Sequence, residues 1–182
     1  MTEKLSAMER QLLLQLARDT IIAVVTNGNR APFHSDHPLL NQSRGCFVTI
    51  KQRGSLRGCI GNFSSDKPLC HLVQDMATAA ATGDPRFYPM KAADLQDFTV
   101  EISVLSPLKK IESIEEIEVG THGIYLEKNY ARGVLLPQVA TEYGLDRETF
   151  LRQTCAKAGL KPDEWHEGTD IYIFAADVFG ES

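Results

Sequence analysis

Two long segments of the chain repeat hydrophobic residues at helical spacing, and each has its own start and stop signals. Before the first segment, Ser6 and Glu9 form a capping-box pattern, a serine followed three residues later by a glutamate. Gly28, which can adopt the left-handed conformation, predicts the end of this helix. Its apolar positions are Met8, Leu12, Leu16, Ile21 and Val24.

The second long helix is predicted to open at Lys67 and Pro68, because proline suits the first turn of a helix, and to end at Gly83. Its apolar residues recur at steps of three and four, as in an amphipathic helix. They are Leu69, Leu72, Val73, Met76, Ala77 and Ala80. Two shorter helices are predicted later, one at residues 137–143 and one after a cap at Asp146.

Between the two long helices, alternating apolar and polar residues predict a β-hairpin. The first strand, CFVTIK, carries its residues on two faces. One face holds Cys46, Val48 and Ile50, and the other holds Phe47 and Thr49. If residues 53–54 form the turn, SLRGCIGNF runs back antiparallel. Cys59 then pairs with Val48, and Arg57 faces Ile50 from the same side of the sheet.

Further strands are predicted at residues 98–104 and 171–178. A second hairpin is predicted between them, with strands 124–127 and 133–136. Strands therefore come in hairpins, helices lie between groups of strands, and the sequence has no GxGxxG or P-loop pattern. This order predicts an α+β fold with a mainly antiparallel sheet and flanking helices.

Charge and cysteine usage narrow the classes of function. The 182 residues carry a net charge of -5, and the densest basic stretch, residues 51–57, has three cations, so no nucleic-acid partner is expected. The first residues are charged and the apolar runs are short, which predicts a cytoplasmic, soluble protein without a membrane role. The four cysteines lack CxxC or zinc-finger spacing and are expected to be reduced.

The stretch SLRGCIGNF, residues 55–63, holds the main candidate for chemistry. On a strand, Arg57 and Cys59 share a face, and a nearby guanidinium favours the thiolate. Gly58 lies on the opposite face and Gly61 on the cysteine face, and glycine in a strand often marks the close approach of a ligand. These residues fit two interpretations. In the first, they form a nucleophile or an anion-binding edge. In the second, Cys59 is a small buried residue, and the glycines allow a helix to pack closely.

Other polar candidates lie where loops meet regular structure. They are Asp84, Arg86, Glu101, His122, Arg132 and Gln138. Asp84 and Arg86 follow a helix end, where Asp84 either caps the chain or belongs to a site. Glu101 is either a solvated residue of the sheet or a proton carrier, and His122 is either an acid–base group or ordinary surface. Arg132 and Gln138 flank GVLLP and could both face one cleft or both face water.

His34 and His37, with Asp36, suggest a metal site. This loop lacks helical spacing to align them, and no third histidine matches them. We therefore predict no metal and no cofactor.

Several motifs in order along the chain resemble the AMMECR-type domain family. The motifs are LRGCIG at 56–61, CFVTI at 46–50, DPRF at 84–87, EISVLSP at 101–107, HGI at 122–124, RGVLLPQVA at 132–140 and CAKAGL at 155–160. The resemblance implies a single domain over residues 1–182, with two unequal lobes and a cleft between them. It also implies that LRGCIG is the functional site, and that Memo-type and radical SAM proteins are partners. It brings no settled reaction.

Two hypotheses follow for the function. The chain could be a binding module that docks a partner protein or positions a small anionic ligand, with Gly58, Gly61, Asp84, Arg86, Arg132 and Gln138 as contact residues. Alternatively, it could be an enzyme or catalytic subunit. Cys59 would then be the nucleophile, Arg57 would hold the thiolate or an anionic group, and His122 or Glu101 would move protons.

Overall fold

The computed structural model describes residues 3–182 and divides into two compact units of unequal size. Unit 1 contains the residues up to Leu105 together with Asp177–Ser182, and unit 2 is Ser106–Ala176. The last strand, β7 (Asp170–Gly180), begins in unit 2 and ends in unit 1. Both units combine helices with antiparallel strands, which confirms the predicted α+β class.

The two helices of unit 1 are α1 (Ala7–Asn27) and α2 (Leu69–Thr82). The predicted cap of α1 is confirmed. Ser6 Oγ accepts from the Glu9 amide at 3.2 Å, and Glu9 Oε2 accepts from the Ser6 amide at 2.8 Å. Gly28 ends the helix with φ of 75°. Within residues 3–182, no helix is long and apolar enough to cross a membrane.

The inward face of α1 differs from its prediction at the N-terminal end. Met8 is 65% exposed, whereas Leu5, which precedes the cap, is buried. Leu5 belongs to the core of unit 1, and Met8 does not. The buried apolar residues of α1 are Leu13, Leu14, Leu16, Ala17 and Ile21.

The sheet of unit 1 is built from β1 (Cys46–Gln52), β2 (Ser55–Asn62) and β3 (Phe98–Leu105), with β1 paired to both neighbours. One face packs against the helices and forms the core of the unit. Its residues on β1 and β3 are Cys46, Val48, Ile50, Phe98, Val100, Ile102 and Val104. The opposite face is mostly polar. It carries one aromatic residue, Phe47, and five polar residues, Thr49, Lys51, Thr99, Glu101 and Ser103.

The predicted two-residue turn at 53–54 is confirmed, because Gln52 pairs with Ser55. Arg53 and Gly54 have φ of 50° and 78°, as a type I′ hairpin turn requires. The predicted register beyond the turn is wrong. A bulge shifts the pairing between Ile50 and Lys51, so that Cys59 pairs with Thr49 rather than Val48, and Gly58 rather than Arg57 lies opposite Ile50. Arg57 is the extra residue of the bulge.

The bulge places Gly58 against the second helix. A Cβ atom at Gly58 would lie 2.2 Å from the carbonyl oxygen of Ala80 in α2. This contact is between backbones, so neither partner can rotate away. Glycine at this position is therefore explained by the close packing of β2 on α2.

Unit 2 contains β4 (Lys109–Lys110), β5 (His122–Lys128), β6 (Ala131–Leu135), α3 (Pro137–Glu142) and α4 (Arg147–Lys157). β5 pairs with β6 and with β7, and β4 also pairs with β7. The second hairpin is confirmed, although its turn is shorter than predicted, because Lys128 pairs with Ala131. In the core of unit 2, α4 packs against β5. The residues in contact include Phe150, Leu151 and Cys155 of α4 and Ile124 and Leu126 of β5.

Replacement of Gly58 by alanine should destabilise the protein, because the added methyl group would overlap the Ala80 carbonyl. We expect a loss of about 2 kcal/mol in the free energy of unfolding, measured by urea denaturation. Gly180→Ala is the matched control, since its nearest non-neighbouring atom lies 3.4 Å away. That variant should change stability by less than about 0.5 kcal/mol. Equal stability of Gly58→Ala and the parent protein would contradict this packing.

Candidate functional site

The backbone of Cys59 is held from outside the sheet by a charged pair. Its N–H donates to Asp84 Oδ2 at 2.9 Å, and its carbonyl accepts from Arg86 Nη2 at 3.3 Å. Arg86 also binds Asp84 through two contacts of 3.0 and 2.8 Å. Because β2 is the end strand of the sheet order, these two side chains satisfy Cys59 as a neighbouring strand would. We call Asp84 and Arg86 the edge clamp.

The local sequence explains how Asp84 reaches β2. Gly83 ends α2 with its N–H bonded to the carbonyl of Ala79 at 2.7 Å. Pro85 disfavours continued helical conformation in the residue before it. The chain then turns, with the Arg86 amide donating to Asp84 Oδ1 at 3.1 Å and the Phe87 amide to the Asp84 carbonyl at 3.1 Å. The sequence allows two roles for Asp84, as a cap of the chain after α2 or as part of a site. In the structure its carboxylate accepts hydrogen bonds both from the Arg86 amide within the turn and from the Cys59 amide.

The edge clamp is a buried carboxylate paired with a half-exposed guanidinium. The side chain of Asp84 is 2% exposed and that of Arg86 is 54% exposed. Hydrogen bonds from the Arg86 side chain outweigh the cost of burial, and the backbone amides of Cys59 and Arg86 add to them. Together they hold the pKa of Asp84 well below its ordinary value. The same pairing raises the pKa of Arg86.

Arg57 is held by the segment that follows the edge clamp. Its Nη2 donates to the carbonyl of Tyr88 at 2.7 Å and lies 3.5 Å from Asp94 Oδ2. Its guanidinium carbon lies 5.8 Å from the centre of the Phe87 ring, within cation–π range. The side chain is 15% exposed. These contacts position the loop beside β2, so Arg57 has a structural role whatever its influence on the thiol.

The side chain of Cys59 lies on the polar face of the sheet, in a row with Thr49 and Glu101. Thr49 pairs with Cys59 on one side and with Glu101 on the other. Thr49 Oγ1 donates to Cys59 Sγ at 3.2 Å. Glu101 Oε2 lies 3.3 Å from Lys51 Nζ. The ion pair adds both signs of charge to the same surface.

Cys59 differs from the other three cysteines in its exposure. Cys46, Cys70 and Cys155 are buried, whereas Cys59 is half-buried. Burial raises the pKa of Cys46 to about 12, and it also raises the pKa values of Cys70 and Cys155. Reaction with a polar reagent in the folded protein should therefore be confined to Cys59.

The glycines of the candidate stretch have separate surroundings. Gly58 faces α2, as described above, and Gly61 lies on the cysteine face opposite Phe47. A Cβ at Gly61 would come within 2.3 Å of the Phe47 ring. That ring also makes an edge contact with Phe63, with 5.1 Å between ring centres. Gly61 thus makes room for an aromatic side chain on the polar face.

The remaining candidates lie in unit 2, where their contacts are local. His122 begins β5 and accepts a hydrogen bond at Nδ1 from the Glu118 amide, 3.0 Å away. Neutral His122 therefore carries its proton on Nε2. Arg132 Nε lies 3.5 Å from Glu127 Oε2, with its side chain 71% exposed. Gln138 lies exposed on α3.

Among residues 3–182, no three His, Cys, Asp or Glu side chains come together as a metal site would require. His37 instead lies near Glu9, with 3.8 Å between Nδ1 and Oε1.

Sequence reasoning missed Thr49, Lys51, Phe87 and Asp94 as neighbours of this site. The strand alternation places Thr49 on the face opposite Val48, so its pairing with Cys59 results from the bulge and has no signal in the sequence. The approach of Phe87 and Asp94 to Arg57 depends on the fold and has no local signal.

This is therefore an α+β protein with a half-exposed cysteine on an end strand of its sheet. A charged pair, Asp84 and Arg86, binds the backbone of that cysteine. The sequence profile of the AMMECR1 family matches residues 14–179, and the chain belongs to this family. It is 44% identical over 186 residues to a protein of Methanothermobacter thermautotrophicus. The matched region covers 97% of this chain and 96% of that protein. It is 41% identical to protein MK0488 of Methanopyrus kandleri, with 100% and 92% covered.

A solved structure supports the fold. The crystal structure of uncharacterized protein PH0010 from Pyrococcus horikoshii matches with a TM-score of 0.83 at 39% identity. The match covers 94% of this chain and 90% of that chain. These relatives confirm the family and fold that the motifs predicted.

Asp84→Asn should lower the free energy of unfolding by about 2 kcal/mol at pH 7, because charge-assisted hydrogen bonds are lost at a buried position. The carboxylate contribution is fully present above the unfolded pKa of about 3.9 and is lost as pH falls through the lower folded pKa. The stability difference between the two proteins should therefore shrink below about pH 4. Urea denaturation at several pH values measures it.

The control for this prediction is Asp97→Asn, since Asp97 and its partner Arg53 are 56% and 82% exposed. It should change stability by less than about 0.5 kcal/mol. An Asp84→Asn difference that is small at pH 7, or that grows on acidification, would contradict the edge clamp.

Iodoacetamide should label one cysteine in the folded protein, and peptide mapping should identify it as Cys59. The other three sulfurs should react after unfolding in urea, because burial protects them. Cys59→Ser should remove the native labelling. Labelling of Cys46, Cys70 or Cys155 at the same rate as Cys59 would contradict the protection of these three sulfurs by burial.

Proposed function

We propose that this chain is a binding module, and that it recognises a partner protein through the polar face of its unit 1 sheet around Cys59. The observation that carries the proposal is the edge clamp. Its two charged groups fix the backbone of Cys59, so the surface beside it is set before any partner arrives. A preorganised surface loses little conformational freedom on binding.

The composition of this surface suits a protein partner. Thr49, Lys51, Cys59 and Glu101 present a hydroxyl, a cation, a thiol and a carboxylate, and all four are half-buried. Phe47 adds an aromatic ring to the same face. Mixed polar groups around an aromatic residue are typical of protein interfaces, where charges set specificity. The half-exposed guanidinium of Arg86 is the cation that a small anionic ligand could reach.

The partner classes that we propose come from the family. AMMECR-type domains are expected to act with Memo-type and radical SAM proteins, and we extend that expectation to this chain. The face around Cys59 is the proposed contact surface for either class.

Binding is tested by titrating the chain with a Memo-type and a radical SAM protein from the same organism, using calorimetry. The variant Lys51→Glu/Glu101→Lys reverses both charges and retains an ion pair, so it alters recognition more than folding. It should weaken binding by at least about tenfold. Lys109→Glu/Glu116→Lys is the matched control, a comparable pair in unit 2. Failure of both partners to bind the parent chain would reject the proposal.

A second candidate function is catalysis by Cys59 as a thiolate nucleophile. The hydrogen bond from Thr49 Oγ1 to Sγ favours it, together with the half-exposure of this sulfur. In this role Thr49 stabilises the thiolate, and the carboxylate of Glu101 is the nearest acid–base group in its row. We propose Arg57, two residues before Cys59 in the chain, as the source of positive charge for the thiolate.

The rate of alkylation against pH separates an activated thiolate from an ordinary thiol. Iodoacetamide forms an S–C bond and releases iodide, so its rate follows the thiolate fraction. An activated Cys59 should react rapidly below neutral pH, and Thr49→Val and Arg57→Ala should slow it. Unchanged rates in both variants would contradict the nucleophile. In a functional assay, Cys59→Ser should then abolish activity while Tm is unchanged.

A further inference from the structure

A second concave surface of unit 1 lies between residues 30–34 and the N-terminal half of α2. This open depression has a volume of about 440 Å³. The side chains that give it chemical character are Arg30, Phe33, His34, Lys67, His71 and Asp75. We call it the Arg30 pocket. None of these residues belongs to the site around Cys59.

The wall of the Arg30 pocket is fixed by hydrogen bonds from α2. Gln74 Nε2 donates to the carbonyl of Ala31 at 2.9 Å, and the Gln74 side chain belongs to a buried residue. His71 Nε2 lies 3.0 Å from the carbonyl of Phe33. Because a carbonyl can only accept, this nitrogen carries a proton. Two consecutive turns of α2 therefore hold the loop, and the pocket is built without a ligand.

The charges of the pocket leave an excess of positive charge. Arg30 Nη2 lies 2.6 Å from Oδ1 of Asp75, and Lys67 Nζ lies 2.6 Å from Oδ2 of the same carboxylate. Burial opposes ionisation of Asp75, but the hydrogen bonds from Lys67 and Arg30 outweigh it and hold the pKa of this carboxyl below its ordinary value. Two cations share one anion, and a guanidinium and an ammonium together have more N–H donors than one carboxylate uses.

Aromatic rings line the same pocket. The rings of His34 and His71 meet edge to face, with 6.2 Å between their centres and 73° between their planes. Phe33 lies half-buried beside them. Flat side chains at this spacing suit a planar group, which would pack against the rings while an anionic substituent reaches the cations.

We propose that the Arg30 pocket binds a small organic anion with a planar apolar body, such as an aromatic phosphate or carboxylate. The anionic group is held by Arg30 and Lys67, and the planar body lies against Phe33, His34 and His71. Neither a bare inorganic anion nor a neutral aromatic compound satisfies both parts of the pocket.

The proposal is tested with the full chain and phenyl phosphate as the probe, by NMR or calorimetric titration at pH 7. Phenyl phosphate should bind saturably at one site. Arg30→Gln should weaken binding by about fivefold, as expected for loss of one partly buried charge contact. Lys67→Gln should weaken it less, because the Lys67 side chain is 61% exposed. Phe33→Ala should also weaken it. Arg53→Gln is the control, since Arg53 is an exposed cation of the same unit, and it should leave binding unchanged.

Comparison ligands separate the two parts of the pocket and the two anions. Inorganic phosphate and phenol should each bind more weakly than phenyl phosphate, and benzoate shows whether a carboxylate replaces the phosphate. Absence of saturable binding by both phenyl phosphate and benzoate would overturn the proposal. So would equal binding of phenol and phenyl phosphate, or equal weakening by Arg53→Gln and Arg30→Gln.

Discussion

The hydrogen bond from the Cys59 amide to the buried Asp84 carboxylate is the interaction on which the proposed site depends. It joins an end strand of the sheet to the turn that follows α2. An end strand exposes unpaired backbone N–H and C=O groups along its outer edge. Such an edge can form hydrogen bonds with a strand of another chain. Asp84 and Arg86 satisfy one amide and one carbonyl of that edge, so the strand keeps a defined position at Cys59 without a further strand beside it.

Two consequences follow for the chemistry of this surface. The charged residues of the DPRF segment are largely engaged with the backbone, which reduces their availability as acid–base groups. The thiol of Cys59 is fixed in position beside a hydroxyl donor and in line with Glu101. Recognition, as we propose it, requires only this fixed, half-exposed set, whereas catalysis also requires that the Thr49 hydroxyl stabilise the thiolate.

The local signals in the sequence predicted the helices and hairpins well. The Ser6–Glu9 cap, Gly28 and the two-residue turn at 53–54 each act within a few residues, so their effects can be read from the chain. The register of Cys59 could not be predicted, because the extra residue at Arg57 leaves no mark in the pattern of apolar and polar positions. Its consequence is large, since it replaces Val48 by Thr49 as the partner of Cys59. Asp84 was recognised as a candidate, but its contact with Cys59 joins residues 25 positions apart and depends on the packing of α2.

Amide hydrogen exchange at Cys59 tests the central claim most directly. An outward-facing amide on an end strand exchanges rapidly unless a partner protects it. We predict that the Cys59 amide is protected in the parent protein, and that Asp84→Ala removes this protection while the amides of β1 keep theirs. Rapid exchange of Cys59 in the parent protein, or protection that survives Asp84→Ala, would contradict the account.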